Sequence, residues 1–307
     1  MTKIRIGTRG SPLALAQANM VAAALHSQAG VDPDDTEIVI IKVIGDQILD
    51  RSLAEVGGKG LFVKEIQTAL IENRIDCAVH SAKDLETILP APLTLGAFLP
   101  REDVRDAFIG RGGVMFKDLP QGAVVGTASL RRQALVKRAR PDLRCEVLRG
   151  NVQTRLAKLE AGDCDATLLA LAGLKRLGNE AVATEIMGID IFPPALAQGA
   201  IAIEMRRDDD RMIEALDKLN HPDTEVAVSA ERGFLAALDG SCRTPIAGLG
   251  TVDGDRIALS AMVALPDGSR VESIEGAASR ADAAEMGFET GKMLRERIGE
   301  FFFDGWL

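Results

Sequence analysis

The 307-residue chain has no tyrosine, one tryptophan, three histidines and four cysteines. With no tyrosine and one tryptophan, broad aromatic stacking on the bases of single-stranded nucleic acid is poorly supplied. The histidines, His26, His80 and His221, are scattered, which argues against a zinc site and leaves no metal expected. Cys77, Cys145, Cys164 and Cys242 form no C-x-x-C and show no pairing logic, as expected of a reducing cytoplasm. No apolar run approaches the roughly 18 residues of a membrane span. Ile4-Arg5-Ile6 reads as a strand where a signal peptide would carry its apolar core, so a cytoplasmic protein without a membrane partner is expected.

What is present fits a soluble globular chain of two or three domains: 47% apolar and 26% charged residues leave ample material for real cores. The net charge of -9 disfavours general nucleic-acid binding. The charge is uneven, however: nine Lys/Arg stand against two Asp/Glu between Arg131 and Lys158. A basic segment in an acidic chain points to a local anion site.

Apolar periodicity divides the chain. Strands are expected at 3–7, 36–43, 77–80 and 93–99, with helices from Pro12 to about His26 and over 63–73. After a linker near 100–104 the pattern restarts. Strands at 123–125, 146–148 and 166–169 alternate with helices at 130–139, 152–161 and 171–177. A strand at 200–205 returns the chain to the first lobe, and helices follow at 209–219 and 225–238. From Ile246 the pattern turns antiparallel, with strands at 246–251, 256–264 and 270–275, a Pro266-Asp267-Gly268 hairpin turn and a closing helix at 281–298. The apolar Phe301-Phe302-Phe303 tail is expected to pack down. The prediction is an α/β protein: two similar lobes with mainly parallel sheets, 1–100 with 198–218 and 101–197, plus a C-terminal α+β domain, 219–307, with a small antiparallel sheet.

Chemistry concentrates in a few strings. Gly240-Ser241-Cys242-Arg243-Thr244-Pro245 places one cysteine in a loop, with Arg243 favouring its thiolate. Gly7-Thr8-Arg9-Gly10-Ser11 and Gly126-Thr127-Ala128-Ser129 each join a strand to a helix. Free N–H groups, hydroxyls and a positive dipole end suit an anion at either place, although ordinary N-capping alone also accounts for each string. His80-Ser81-Ala82-Lys83-Asp84 ends a strand, where ligands of open α/β sheets bind. Arg131 and Arg132 open a helix against its dipole, a cost most easily understood with an anion there. Arg149-Gly150-Asn151 follows another strand, with Arg155 one helical turn on, and arginine forks match carboxylates.

Over nearly its full length the chain resembles the porphobilinogen deaminase (hydroxymethylbilane synthase) family. The resemblance rests on Thr8–Leu15, Gly57-Gly58-Lys59-Gly60-Leu61-Phe62-Val63-Lys64-Glu65, His80–Asp84, Val125–Arg132, Leu148-Arg149-Gly150-Asn151-Val152 and Gly240-Ser241-Cys242, in that order. It implies lobes of the periplasmic-binding-protein kind and a transferase of tetrapyrrole biosynthesis. That enzyme joins four porphobilinogens head to tail into hydroxymethylbilane, releasing ammonia each time. It also implies a dipyrromethane cofactor attached through Cys242, from which the chain grows to a hexapyrrole. By the same resemblance Asp84 is catalytic. Ser81, Lys83, Asp84, Thr127, Ser129, Arg131, Arg132, Arg149, Gly150 and Arg155 hold the cofactor. Arg9, Ser11, Gln17, Arg149, Arg155, Arg176 and Gln198 hold substrate, and Asp46, Lys59 and Phe62 belong to a lid over 45–60. A monomer is expected, with porphobilinogen and its oligomers as the only partners. Some positions depart from the family: Ala82, Leu85-Glu86, Ala128, Arg243-Thr244, and Ala197-Gln198-Gly199 where Gly-Gln-Gly is common. The competing reading is a non-catalytic two-lobed carboxylate-binding protein, with a nucleic-acid binder, motivated by 131–158, behind it.

Overall fold

The structure is a computed structural model and describes residues 3–43, 63–238, 245–299 and 302. The expected lid with Asp46, Lys59 and Phe62, and the Cys242 loop, lie outside the described residues. In chain order the elements are β1 (Ile4–Thr8), α1 (Pro12–Gln28), β2 (Thr36–Ile40), α2 (Lys64–Ile71), β3 (Cys77–Ser81), β4 (Leu93–Phe98), β5 (Asp106–Gly110) and β6 (Val124–Gly126). There follow α3 (Leu130–Ala139), β7 (Arg144–Glu146), α4 (Val152–Ala161), β8 (Ala166–Ala170), α5 (Leu171–Arg176), β9 (Glu185–Ile186), β10 (Ile201–Arg206), α6 (Asp210–Asp217) and α7 (Pro222–Ala237). The chain closes with β11 (Ile246–Asp253), β12 (Arg256–Ala264), β13 (Val271–Ser279) and α8 (Ala283–Ile298). It divides into two compact units, 1–102 with 200–225, and 103–199 with 226–307.

The first unit holds a five-stranded sheet ordered β2-β1-β3-β10-β4. Strands β1, β2 and β3 run parallel, while β10 is antiparallel to both β3 and β4. The second unit repeats the plan as β7-β6-β8-β5-β9, with β6, β7 and β8 parallel and β5 antiparallel to β8 and β9. In each sheet the antiparallel strand is the first one laid down after the chain crosses from the other unit. Its first residue therefore lies at the edge where the parallel strands end: Ile201 pairs with Ser81, and Asp106 with Ala170. The second unit also carries the meander β11-β12-β13. These three sheets are the mixed α/β architecture expected from the sequence, including the return of β10 to the first sheet.

One expected strand is shifted and two strands are additional. The strand expected at 146–148 forms at 144–146, because Val124–Gly126 pairs with Arg144–Glu146. Leu148, beyond it, is buried in the core instead. Strands β5 and β9 were not anticipated; both are short and paired mainly over long sequence separations, which leaves little local signal. The hairpin turn is where it was expected, with Gly268 at φ 72°. A Cβ there would stand 2.5 Å from the Arg138 nitrogen and 2.7 Å from the Ala134 oxygen, so the hairpin tip lies directly against α3. Phe302 is buried and receives the Arg270 guanidinium over its ring at 5.1 Å.

Strand β1 is tied to the start of β3 by Asp76. Its Oδ2 accepts from the Arg5 backbone and Nε at 2.8 and 3.0 Å, and its Oδ1 from Arg5 Nη2 at 2.8 Å. Burial pushes the Asp76 carboxyl up, but the Arg5 hydrogen bonds and charge outweigh it and hold it below the ordinary carboxylate range. A depressed carboxyl contributes stability above its unfolded pKa of about 3.9, and loses it as pH falls through the folded value. Asp76→Asn is therefore expected to melt below wild type at pH 7. Chemical denaturation at a series of pH values should show the gap closing below about pH 4. A gap independent of pH would remove the charge from the account.

Candidate active site

In the first unit the carboxyl ends of β1 and β3 are neighbours because those strands pair in parallel. Beyond β1 runs Arg9-Gly10-Ser11. Ser11 caps α1 by accepting from the Ala14 nitrogen at 3.3 Å, Pro12 sits in the first turn, and Thr8 donates its hydroxyl to the Ala14 oxygen at 3.2 Å. Beyond β3 the chain makes a single 3₁₀ turn, Ala82–Asp84, held to the start of β10 by the Ala82 N–H on the Ala200 oxygen at 3.0 Å. Ala82 is buried, Lys83 half-buried and Asp84 exposed. Buried Gln17 on α1 joins the two strand ends by donating to Ser81 Oγ at 2.8 Å. Arg9, Ser11, Gln17, Ser81, Lys83 and Asp84 thus share one sheet edge.

The second unit repeats this edge. Ser129 caps α3 by accepting from the Arg132 nitrogen at 3.4 Å, and Thr127 Oγ1 accepts from the Ser129 nitrogen at 3.2 Å. Past β7, Gly150 takes φ 120°, and a Cβ there would meet the Thr154 side chain at 2.6 Å. Asn151 caps α4, and Arg155 Nε donates to the Gly150 oxygen at 2.8 Å. Arg149 is half-buried, and its buried Nε has no hydrogen-bond partner among the described residues. Leu171 N–H donates to the Arg105 oxygen at 3.0 Å, the counterpart of the Ala82–Ala200 bond.

Arg131 and Arg132 are buried, and the anion that the helix dipole calls for is one of the protein's own. Arg131 Nη2 donates to Asp106 Oδ2 at 2.7 Å, and Arg132 Nη2 to Asp106 Oδ1 at 2.8 Å. Their Nη1 atoms donate to the carbonyl oxygens of Pro193 at 2.7 Å and Leu168 at 2.8 Å. Gln198, fully buried, adds its amide to Asp106 Oδ1 at 2.9 Å and to the Val104 oxygen at 2.7 Å. Burial pushes the Asp106 carboxyl up, but the charges of Arg131 and Arg132 win and hold it well below the ordinary range. Burial and the like charge of Arg132 pull Arg131 down, against the charge of Asp106.

Gln198 belongs to a pinned segment. Arg176 Nη2 donates to the Gly199 oxygen at 2.6 Å. The Ala197 N–H donates to buried Glu231, whose other oxygen accepts from the Gly250 nitrogen at 2.7 Å.

The described cysteines are poor nucleophiles. Burial drives the Cys77 thiol up to about 12 and also raises Cys145 and Cys164. A thiolate at neutral pH is therefore disfavoured at all three.

Residues 4–214 match the family profile described as porphobilinogen deaminase, dipyromethane cofactor binding domain, and 226–296 match the porphobilinogen deaminase C-terminal domain. The chain is 57% identical over 298 residues to the porphobilinogen deaminase of Nitrobacter hamburgensis, covering 97% of this chain and 94% of that one. The chain belongs to the porphobilinogen deaminase family. It is accordingly a transferase carrying the family's dipyrromethane-binding domain. Among solved structures, the VFT2 domain of BvgS from Bordetella pertussis is 15% identical with a TM-score of 0.41, covering 71% of this chain and 85% of that one. A YaeC-family lipoprotein from Enterococcus faecalis is 15% identical with a TM-score of 0.42, covering 72% and 92%.

For a porphobilinogen deaminase, two features of the site had gone unread in the sequence. Asp106 was missed because β5 was missed; its only local signal is a short apolar run, Ala107-Phe108-Ile109, ended by Gly110. Ala197, noted as a departure from a family glycine, has φ 60°. A left-handed alanine is strained by about 1 kcal/mol. Ala197→Gly is therefore expected to raise the melting temperature by about 2–4 °C. A lower melting temperature would show that the Glu231 bond already absorbs the strain.

Proposed function

We propose that this chain condenses four porphobilinogen molecules head to tail, releasing ammonia at each addition, with Asp84 as the catalytic carboxylate. The observation that carries the reading is the exposed Asp84 at the carboxyl end of β3, on a turn anchored to β10. There its carboxylate can stabilise a cation formed by ammonia loss and accept the proton released when the new carbon–carbon bond is made. Arg9, Ser11 and Gln17, on the same edge, orient the substrate's acetate and propionate groups.

The dipyrromethane group is polyanionic, and the donor set of the second unit fits it. Among the described residues, the buried Nε of Arg149 has no hydrogen-bond partner, nor have those of Arg131 and Arg132. Thr127, Ser129, Gly150 and Arg155 stand on the same strand ends. We assign these residues, with Ser81, Lys83 and Asp84, to holding the cofactor, and Arg149, Arg155, Arg176 and Gln198 to substrate. When bound, the group would supply the free pyrrole carbon to which the first substrate is added, each later one joining the terminal ring of the growing chain. Its attachment point is Cys242, the cysteine outside the three buried or half-buried thiols. Charge-assisted hydrogen bonds of about 1.5–3 kcal/mol each offset the mutual repulsion of the carboxylates. Asp46, Lys59 and Phe62 are assigned to a covering loop. We assign the chain three domains, the second unit comprising an α/β lobe and the β11-β12-β13 domain, and a monomeric state in the cytoplasm without nucleic-acid or membrane partners. Among the described residues no helix is long and apolar enough to cross a membrane.

The test is stoichiometry. Purified protein given porphobilinogen should release four ammonia molecules for each hydroxymethylbilane. No ammonia release would end the reading.

A further inference from the structure

We propose that Asp106 is a positioning residue for the anion-binding arginines: its two oxygens fix the spacing of Arg131 and Arg132 and cancel one of their two charges, leaving the pair one net positive charge for a ligand carboxylate. The inference rests on the function proposed above.

The geometry carries it. Each guanidinium is held at two points, one on Asp106 and one on a main-chain oxygen, Pro193 for Arg131 and Leu168 for Arg132. Two attachments fix a planar fork in both place and tilt, and each fork keeps a buried Nε–H with no hydrogen-bond partner among the described residues. Gln198 locks the carboxylate in turn, sharing Oδ1 with Arg132. Gln198 is held beside Ala197, which Glu231 grips, and Gly199, which Arg176 grips, so the carboxylate cannot swing to serve only one arginine.

The charge count says what the arrangement is for. Two cations and one anion sum to one positive charge, and the three side chains are at most 6% exposed. A buried ionic cluster adds little to stability over apolar side chains of the same volume, and an unbalanced one is costly. A carboxylate from a ligand balances it. Without Asp106 two buried like charges would face each other, spread apart and offer no fixed fork.

The test uses Asp106→Asn, which keeps the shape and removes the charge, beside Leu259→Ala, a core truncation in β12 that lowers stability away from the arginines. Each protein is purified as expressed, checked by circular dichroism and thermal melting, weighed intact and assayed. Asp106→Asn is expected to fold but to carry the two-pyrrole mass increment on under half of its molecules. KM for porphobilinogen should rise about tenfold after correction for the loaded fraction, and kcat/KM should fall by about the same factor, with kcat of the loaded molecules little changed. Leu259→Ala should load fully with an unchanged KM. Equal loss of loading in both variants, or wild-type loading and KM in Asp106→Asn, overturns the proposal. The wild-type protein's own increment and turnover test the parent reading separately, so the two failures are told apart.

Discussion

Replacing Cys242 with serine is expected to abolish the two-pyrrole mass increment and to reduce porphobilinogen turnover to background. The expectation follows from the other three cysteines as much as from Cys242. Cys77 is fully buried with its thiol pushed up to about 12, Cys164 is buried and Cys145 half-buried, and burial raises both of those thiols. A thiolate at neutral pH is disfavoured at all three. Cys242 stands in the string Gly240-Ser241-Cys242-Arg243-Thr244-Pro245, next to Arg243, and a positive neighbour favours the thiolate. A serine hydroxyl at that position is far less acidic and far less nucleophilic. Intact mass spectrometry of the wild type and Cys242→Ser decides the matter. An increment that persists in the variant would move the attachment elsewhere, and a wild type with full turnover and no increment would remove the tether altogether.

Asp84→Asn is expected to keep that increment and lose turnover by about 10²–10⁴-fold, the usual worth of a positioned proton-transfer group. The amide preserves the size of the side chain on an exposed turn whose backbone is anchored by the Ala82–Ala200 bond, so the fold and the cofactor should survive. What disappears is the negative charge beside a developing cation. The prediction separates Asp84 from Asp106. Loss at Asp84 should appear in kcat, because the charge acts on the transition state. Loss at Asp106 should appear in loading and KM, because its effect passes through the arginines. Single-turnover measurement on loaded Asp84→Asn protein checks this, and turnover near wild type would take Asp84 out of the mechanism.

The contrast between those two carboxylates shows what residue order can and cannot point to. Asp84 is legible as a candidate because it stands just beyond a strand, in a dense local string, His80-Ser81-Ala82-Lys83-Asp84. The ends of parallel strands are where such sheets bind ligands. The Arg131–Arg132 pair is legible as a demand for negative charge, since two cations open a helix against its dipole. The partner that meets the demand is not. Asp106 lies 25 residues upstream of Arg131, on a five-residue strand inserted antiparallel into the second sheet, and nothing in its neighbourhood announces that pairing. The unanticipated turn at Ala197 has the same origin. The sequence shows a substitution at a family glycine, while the positive φ that makes glycine preferable belongs to the folded backbone.

Read alone, the amino-acid order settled the α/β class, the antiparallel end of the chain, the family, and the strand-end strings that hold the candidate site, because periodicity and short motifs are local properties. Folding decided which side chains complete that site: Asp106 under the two arginines, Gln198 on Asp106, and Gln17 on Ser81. These partners come from distant strands and helices brought together only when the sheets form. Their hydrogen bonds and charge balance depend on distances in space that residue spacing does not encode.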